Sequence, residues 1–122
     1  MLGRQPQETL AGVNTVRIEG SFAPNGTGAP TTLLGKGFTV ARAAQGVFTV
    51  TLTSPVSSFI SVVPGVCLQT AAARIPQVTA LTTGSTPSFQ ISNLDTSAVA
   101  QDIAAAAGNT VHFTVVCRAG SP

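Results

Sequence analysis

The sequence predicts an all-β fold, a single antiparallel β-sandwich, on the basis of three observations. Several segments alternate apolar and polar residues with a period of two, which is typical of strands that bury one face. Clusters of Pro, Gly, Ser and Asn separate these segments at short intervals. The 17 Thr and 14 Val among the 122 residues favour pleated, half-buried strands. Seven or eight strands at this spacing indicate a sandwich of jelly-roll or immunoglobulin-like type.

The first predicted strand begins at residue 15. Val16, Ile18 and Phe22 share one phase of its alternation, and its charged residues take the other. The Pro and Gly content of residues 24–30 predicts a loop after this strand. An Asn-Gly pair within that loop favours a tight turn.

The clearest hairpin in the sequence combines residues 37–42 with residues 47–52. Both segments alternate in the same way, and the connection between them ends in Gly46. Further strands are bounded by Pro, Gly, Ser or Asn and are predicted at about 58–63, 66–70, 75–82, 88–93 and 111–118.

One stretch departs from the strand pattern. Residues 98–107 are rich in Ala, the best helix former, and Gly108 follows them. Asp95 or Ser97 is suited to cap the start of a short helix. An Ala-rich crossover loop packed on the edge of a sheet would have the same composition, so both interpretations stay open.

The first 14 residues differ from the rest and predict an extended N-terminal arm before a sandwich domain at residues 15–122. The arm is mainly polar, with Leu2, Leu10 and Val13 as its apolar anchors. Twelve extended residues can reach about 40 Å, which is far enough to cross a small neighbouring subunit.

The composition disfavours several functional classes. Only 8% of the residues are charged and the net charge is +2, which is too little for the dense basic face of a nucleic-acid-binding protein. The single His and the absence of Trp and Tyr argue against an enzyme. No apolar stretch approaches the roughly 18 residues of a membrane helix. The polar start lacks the apolar core of a signal peptide, so we expect synthesis and retention in the cytosol.

Few residues are candidates for chemistry. His112 is the only ordinary general base, and the sequence places no Ser or Cys beside it on its strand face. Asp95 and Asp102 are a conceivable carboxylate pair, although a helix cap and a solvated position are the simpler interpretations. No spacing of His, Cys, Asp or Glu fits a metal site. We therefore predict no catalytic residue, no cofactor and no metal.

The two cysteines are fifty positions apart, which fits neither a redox turn nor a zinc site. Cys117 has the phase of the apolar positions in the last strand, whereas Cys67 points the other way. A disulfide remains open, but the phases favour two free thiols.

The basic residues are scattered singly along the chain. Arg17 and Glu19 share the polar phase of the first strand and are expected to pair on the surface. Arg42 and Arg118 lie near strand ends, where they could reach acidic neighbours across an interface.

Three segments carry a resemblance to a known group of proteins. Residues 35–42 read GKGFTVAR, residues 46–52 read GVFTVTL and residues 107–116 read AGNTVHFTVV. Together they resemble small β-sandwich virion proteins of tailed bacteriophages, in which two Gly-led aromatic strands open the domain and a Val-His-Phe-like strand closes it. The resemblance covers roughly residues 33–118 and implies a structural role with no catalytic residues.

The resemblance implies a capsid decoration, or cement, protein on the virion exterior. Its partner would be the major capsid protein, and it would be a homo-oligomer, a trimer at or near local three-fold positions. The arm would lie across neighbouring capsid subunits, with Leu2, Leu10 and Val13 as apolar contacts and Arg4 as a polar one. The alternative is a head-fibre or tail-fibre module that binds a receptor through loops such as 24–31 and 83–87.

Overall fold

The computed structural model describes residues 15–120 and contains eight antiparallel strands in two four-stranded sheets. The predicted all-β sandwich is therefore confirmed. The strands are β1 Thr15–Asn25, β2 Gly28–Leu34, β3 Phe38–Ala44, β4 Val47–Leu52, β5 Val56–Cys67, β6 Ile75–Thr82, β7 Ser88–Leu94 and β8 Thr110–Ala119.

The first and last strands are the two central strands of one sheet. This sheet, sheet I, has the order β2-β1-β8-β5, and sheet II has the order β3-β4-β7-β6. Thr15 lies opposite Arg118, and Val56 at the start of β5 lies opposite Ala119. The start of β1, the end of β8 and the start of β5 therefore meet at one end of the sandwich, which we call the entry end.

Phenylalanine rings from both sheets fill the core. Phe113 of β8 contacts Phe38 and Phe89 edge-on, with ring centroids 4.9 and 5.5 Å apart. Phe59 is only half-buried and packs against this cluster. Each fully buried ring contributes roughly 1.5–3 kcal/mol. The five buried rings are Phe22, Phe38, Phe48, Phe89 and Phe113.

The predicted hairpin is confirmed by the pairing of β3 with β4, but the predicted loop at 24–30 is not. β1 continues to Asn25 and β2 begins at Gly28, so only a two-residue turn separates them. Gly26 in that turn has a φ of +56°, as the Asn-Gly signal indicates. β2 was missed because most of its side chains are exposed and its sequence does not alternate.

The two strands predicted at 58–63 and 66–70 are one strand, β5. It pairs with β8 along its length through two irregularities, between Val56 and Ser58 and between Phe59 and Ser61. Each irregularity shifts the phase of the side chains, so apolar and polar residues do not alternate regularly along β5.

Residues 95–109 form an irregular crossover without a helix, so the helical interpretation of residues 98–107 is wrong. Asp95 caps no helix, but it fixes a turn at the start of the crossover: its Oδ1 accepts hydrogen bonds from the backbone N–H groups of Ser97 and Val99 at 2.8 and 3.1 Å. Ala98 then takes a φ of +62°, which a right-handed helix does not allow. Ile103 is buried, and its carbonyl accepts a hydrogen bond from the N–H of Gly26. Contacts with the sheets thus outweigh the helix propensity of Ala.

Candidate partner-binding surfaces

The residues predicted to contact a partner precede the described part of the chain. Leu2, Arg4, Leu10 and Val13 all lie outside residues 15–120. Their point of attachment is described, because Thr15 begins β1 at the entry end. The surfaces around that end are therefore the ones that the arm meets first.

An open, mainly apolar cleft of about 360 Å³ lies at the entry end. Its lining includes Val16 and Ile18 of β1, Cys117 of β8, residues 53–55 between β4 and β5, and Val56 at the start of β5. Val16 is 39% exposed, although it belongs to the phase that faces the core further along β1. The core is thus open at this end, and the cleft can accept apolar side chains from another segment.

The first part of β1 has an open edge beside this cleft. β8 pairs with the whole segment from Thr15 to Phe22, but β2 pairs with β1 only from Ser21 onwards. After β2 ends, Gly35 lies next to the backbone carbonyl of Glu19, and the chain then continues into β3. Within the described chain, no strand pairs with the second edge of residues 16–18. An edge of this kind presents backbone N–H and C=O groups on alternate residues and can accept another strand.

The outer face of sheet I carries exposed aliphatic side chains. Leu34 on β2 is 72% exposed and Val63 on β5 is 60% exposed. Leu34 lies opposite Ser21 and Val63 lies opposite Thr114, so both belong to the face turned away from the core. Apolar area of this kind favours contact with another protein over a freely solvated surface.

His112 lies on this same outer face. The strand register places it opposite Ser21 on β1 and Gly65 on β5, and its ring packs over Gly65, which has no side chain. Ser21 is a neighbour that the sequence analysis did not find, since only the pairing of β1 with β8 brings it there. No hydrogen bond joins Ser21 to His112, and the nearby Glu19 carboxylate accepts one from Arg17 at 3.0 Å. Ser21 and His112 are therefore not held as the hydrogen-bonded nucleophile–base pair that covalent catalysis uses.

The predicted surface pair of Arg17 and Glu19 is confirmed, but the expectation for Arg42 is wrong. Arg42 binds Asp102 of its own chain through two hydrogen bonds of 3.0 and 2.9 Å, and not an acidic group across an interface. Asp102 also accepts the N–H of Gly46 at 2.8 Å and is not the solvated residue that the sequence suggested. These bonds, above all those from Arg42, hold the pKa of the Asp102 carboxyl below its ordinary value. Asp95 and Asp102 serve separate sets of partners and do not form a catalytic pair.

Both cysteines are free thiols, as their opposite phases predict. Cys67 is exposed, whereas Cys117 is buried at the base of the cleft. Burial raises the pKa of the Cys117 thiol, so it stays protonated and unreactive at neutral pH.

We also searched the described residues for metal sites and membrane-spanning helices and compared the chain with known proteins. Among residues 15–120, no group of three or more His, Cys, Asp or Glu side chains is arranged to hold a metal ion. The same part of the chain contains no helix with the length and apolarity needed to span a membrane. No protein-family model, curated protein or solved structure matches the chain.

Proposed function

We propose that this protein is a structural component of a phage virion, a capsid decoration protein that binds the outer lattice and stabilises the head without any chemical step. The observation that carries the proposal is the convergence of the arm, an open apolar cleft and an open strand edge at the entry end. These features suit binding to other proteins. The resemblance of residues 33–118 to small phage virion proteins indicates which proteins they are.

The mechanism is mechanical. A subunit that binds two neighbouring capsid subunits at once stabilises the assembled lattice relative to the separated subunits by the free energy of that binding. Each contact can be weak, because a homotrimer at a local three-fold position presents three arms to the lattice and gains avidity. The low charge of the chain is compatible with this role. A protein that is bound to a particle depends less on its own charged surface to stay in solution.

Deletion of residues 2–12 tests the arm. We expect the shortened protein to keep its unfolding midpoint, because the described core lies entirely within residues 15–120, and to lose binding to particles. Binding would be measured by co-sedimentation with purified particles that lack the protein.

A matched control keeps the length of the arm and replaces the polar residues Gln5, Gln7 and Thr9 with Ser. This control should bind as the unchanged chain does. Full binding by the deleted protein would contradict the assigned role of Leu2, Arg4 and Leu10.

A fibre module that binds a receptor is the second candidate, and the turn between β6 and β7 favours it. Residues 83–86 are exposed, while Gly84 and Val56 exchange two backbone hydrogen bonds of 2.8 and 3.0 Å that fix the turn on the sandwich. A fixed and exposed turn can present a binding surface. In that case deletion of the arm would leave receptor binding intact, and substitutions in residues 83–86 would abolish it.

A further inference from the structure

The cleft and the open edge of β1 form one continuous surface at the entry end. Val16 and Ile18 contribute their side chains to the cleft, and the same residues lie on the edge that no described strand covers. A strand that paired with residues 16–18 would direct alternate side chains into the cleft. Peptides recognised in this way bind through backbone hydrogen bonds and gain specificity from the side chains that enter the pocket.

We propose that this surface binds the N-terminal arm of a second copy of the chain, so that copies associate by exchanging residues 9–13. The arm starts at the entry end, and a segment of this length is sufficient to reach a neighbouring copy. The proposal names the contact behind the proposed self-association. It assigns Val13 to the cleft of a second copy and leaves Leu2, Arg4 and Leu10 as the residues of the arm that are proposed to contact the capsid.

The pattern of charge in the arm fits the cleft. Its two charged residues, Arg4 and Glu8, both have even numbers. The odd positions contain no charged residue and end in Ala11 and Val13. An extended arm that turns its odd positions inward therefore places Val13 in the apolar cleft and keeps both charges in water, which avoids the large cost of burying an unpaired charge.

The arm cannot reach the cleft of its own copy with the same side chains. Val13 precedes Thr15 by only two residues, so in a hairpin with β1 it would have to lie in the turn. A two-residue turn of Val13 and Asn14 would require a positive φ at Val13, which a β-branched residue strongly disfavours. A three-residue turn would place Leu10 opposite Val16 and would then direct Glu8 into the cleft opposite Ile18. A four-residue turn would direct Thr9 and Gln7 there.

Arm exchange also explains how a defined oligomer can form. A strand donated by one copy to the next makes a head-to-tail contact, and such contacts close into a ring when the rotation between copies allows it. Three copies related in this way would form the trimer proposed above.

Disulfide cross-linking between differently tagged copies tests the contact. One copy carries Val13→Cys and the other Val16→Cys. Both carry Cys67→Ser and Cys117→Ala, because Cys67 is exposed and Cys117 lies opposite Val16 in the cleft, where it would compete for the new disulfide. After co-expression and mild oxidation we expect a covalent heterodimer on a non-reducing gel, with its link confirmed by mass spectrometry. The matched control, Leu10→Cys with Val16→Cys, places the thiol on the opposite face of the arm and should give several-fold less product. Absence of the heterodimer, or equal yields in the two pairs, would overturn the proposal.

A measurement of mass in solution provides an independent test. The unchanged chain should have a multiple of its 12.2 kDa mass by analytical ultracentrifugation. Val13→Asp should shift it to the monomer, and Leu10→Asp should not. A Val13→Asp protein that is monomeric, beside a Leu10→Asp protein that is not, would support arm exchange. An unchanged chain that is monomeric, or a Val13→Asp protein that stays oligomeric, would overturn arm exchange whatever the result with particles.

Discussion

Gly20 faces the core where the rings of Phe38 and Phe113 meet. A Cβ at this position would overlap the Phe38 ring and lie 2.9 Å from Cζ of Phe113. Since Phe38 packs against Phe113 and Phe113 also packs against Phe89, neither ring can move freely. We expect Gly20→Ala to lower the free energy of unfolding by about 1–3 kcal/mol, the usual cost of overpacking a core. Urea denaturation of the two proteins measures it.

A smaller side chain at position 38 provides a control for the predicted overlap at Gly20. In a Phe38→Leu background the same Gly20→Ala change should cost less, because the smaller side chain leaves room for the added methyl group. An equal cost in both backgrounds would contradict the assigned overlap with Phe38.

Single residues were predictable where their role depends on local alternation. The burial of Phe22 and the opposite orientations of Cys67 and Cys117 follow from the phase of each residue within its own segment. Arg42 was not predictable, because its partner Asp102 is 60 positions away in the chain. The same limit applies to Ser21 and His112, which become neighbours only when β1 pairs with β8.

The crossover at residues 95–109 is held by contacts with residues that are distant in the sequence. The local sequence of the segment therefore does not predict its conformation. Its Ala content favours a helix, but Asp102 binds Arg42 and Gly46 on the β3–β4 hairpin, and Ile103 enters the core. Local propensity is a weak signal when tertiary contacts oppose it. The predictions for β2 and β5 were wrong for a related reason. β2 is mostly exposed and β5 contains irregularities in its pairing, so neither strand alternates regularly between apolar and polar residues.

The ion pair of Asp102 and Arg42 predicts a pH-dependent stability for this element. The pKa of Asp102 is lowered by its hydrogen bonds with Arg42, so the carboxylate stabilises the fold above the pKa of about 3.9 that an unfolded Asp has. This contribution is lost as the pH falls through the lower pKa of the folded state. We expect Asp102→Asn to reduce the unfolding midpoint at pH 7 by several degrees, and the difference from the unchanged chain to shrink below about pH 4.

The exposed pair of Arg17 and Glu19 supplies the control for this prediction. Both side chains are more than 60% exposed, and exposed pairs contribute about 0–1 kcal/mol. Glu19→Gln should therefore change the midpoint little at pH 7. If the difference in unfolding midpoint between Asp102→Asn and the unchanged chain stayed constant from pH 7 to pH 3, that result would contradict the role of the charged Asp102. Thermal unfolding followed by circular dichroism gives all three curves.

At the scale of the whole molecule, the sequence predicted the sandwich better than its binding surfaces. Alternation and turn residues determine the architecture, because each strand must bury one face. The cleft, the open edge of β1 and the apolar outer face of sheet I depend instead on which strands pair and where the pairing stops. β2 reaches β1 only from Ser21 onwards, and no local signal in β1 marks that limit.

The number of copies per virion tests the central claim most directly. Quantitative mass spectrometry of purified particles would give the ratio of this protein to the major capsid protein. A decoration protein predicts hundreds of copies at a simple fraction of the number of capsid subunits, and that fraction would identify its symmetry position. A few to a few dozen copies, or none, would contradict the assignment of this chain to the capsid lattice.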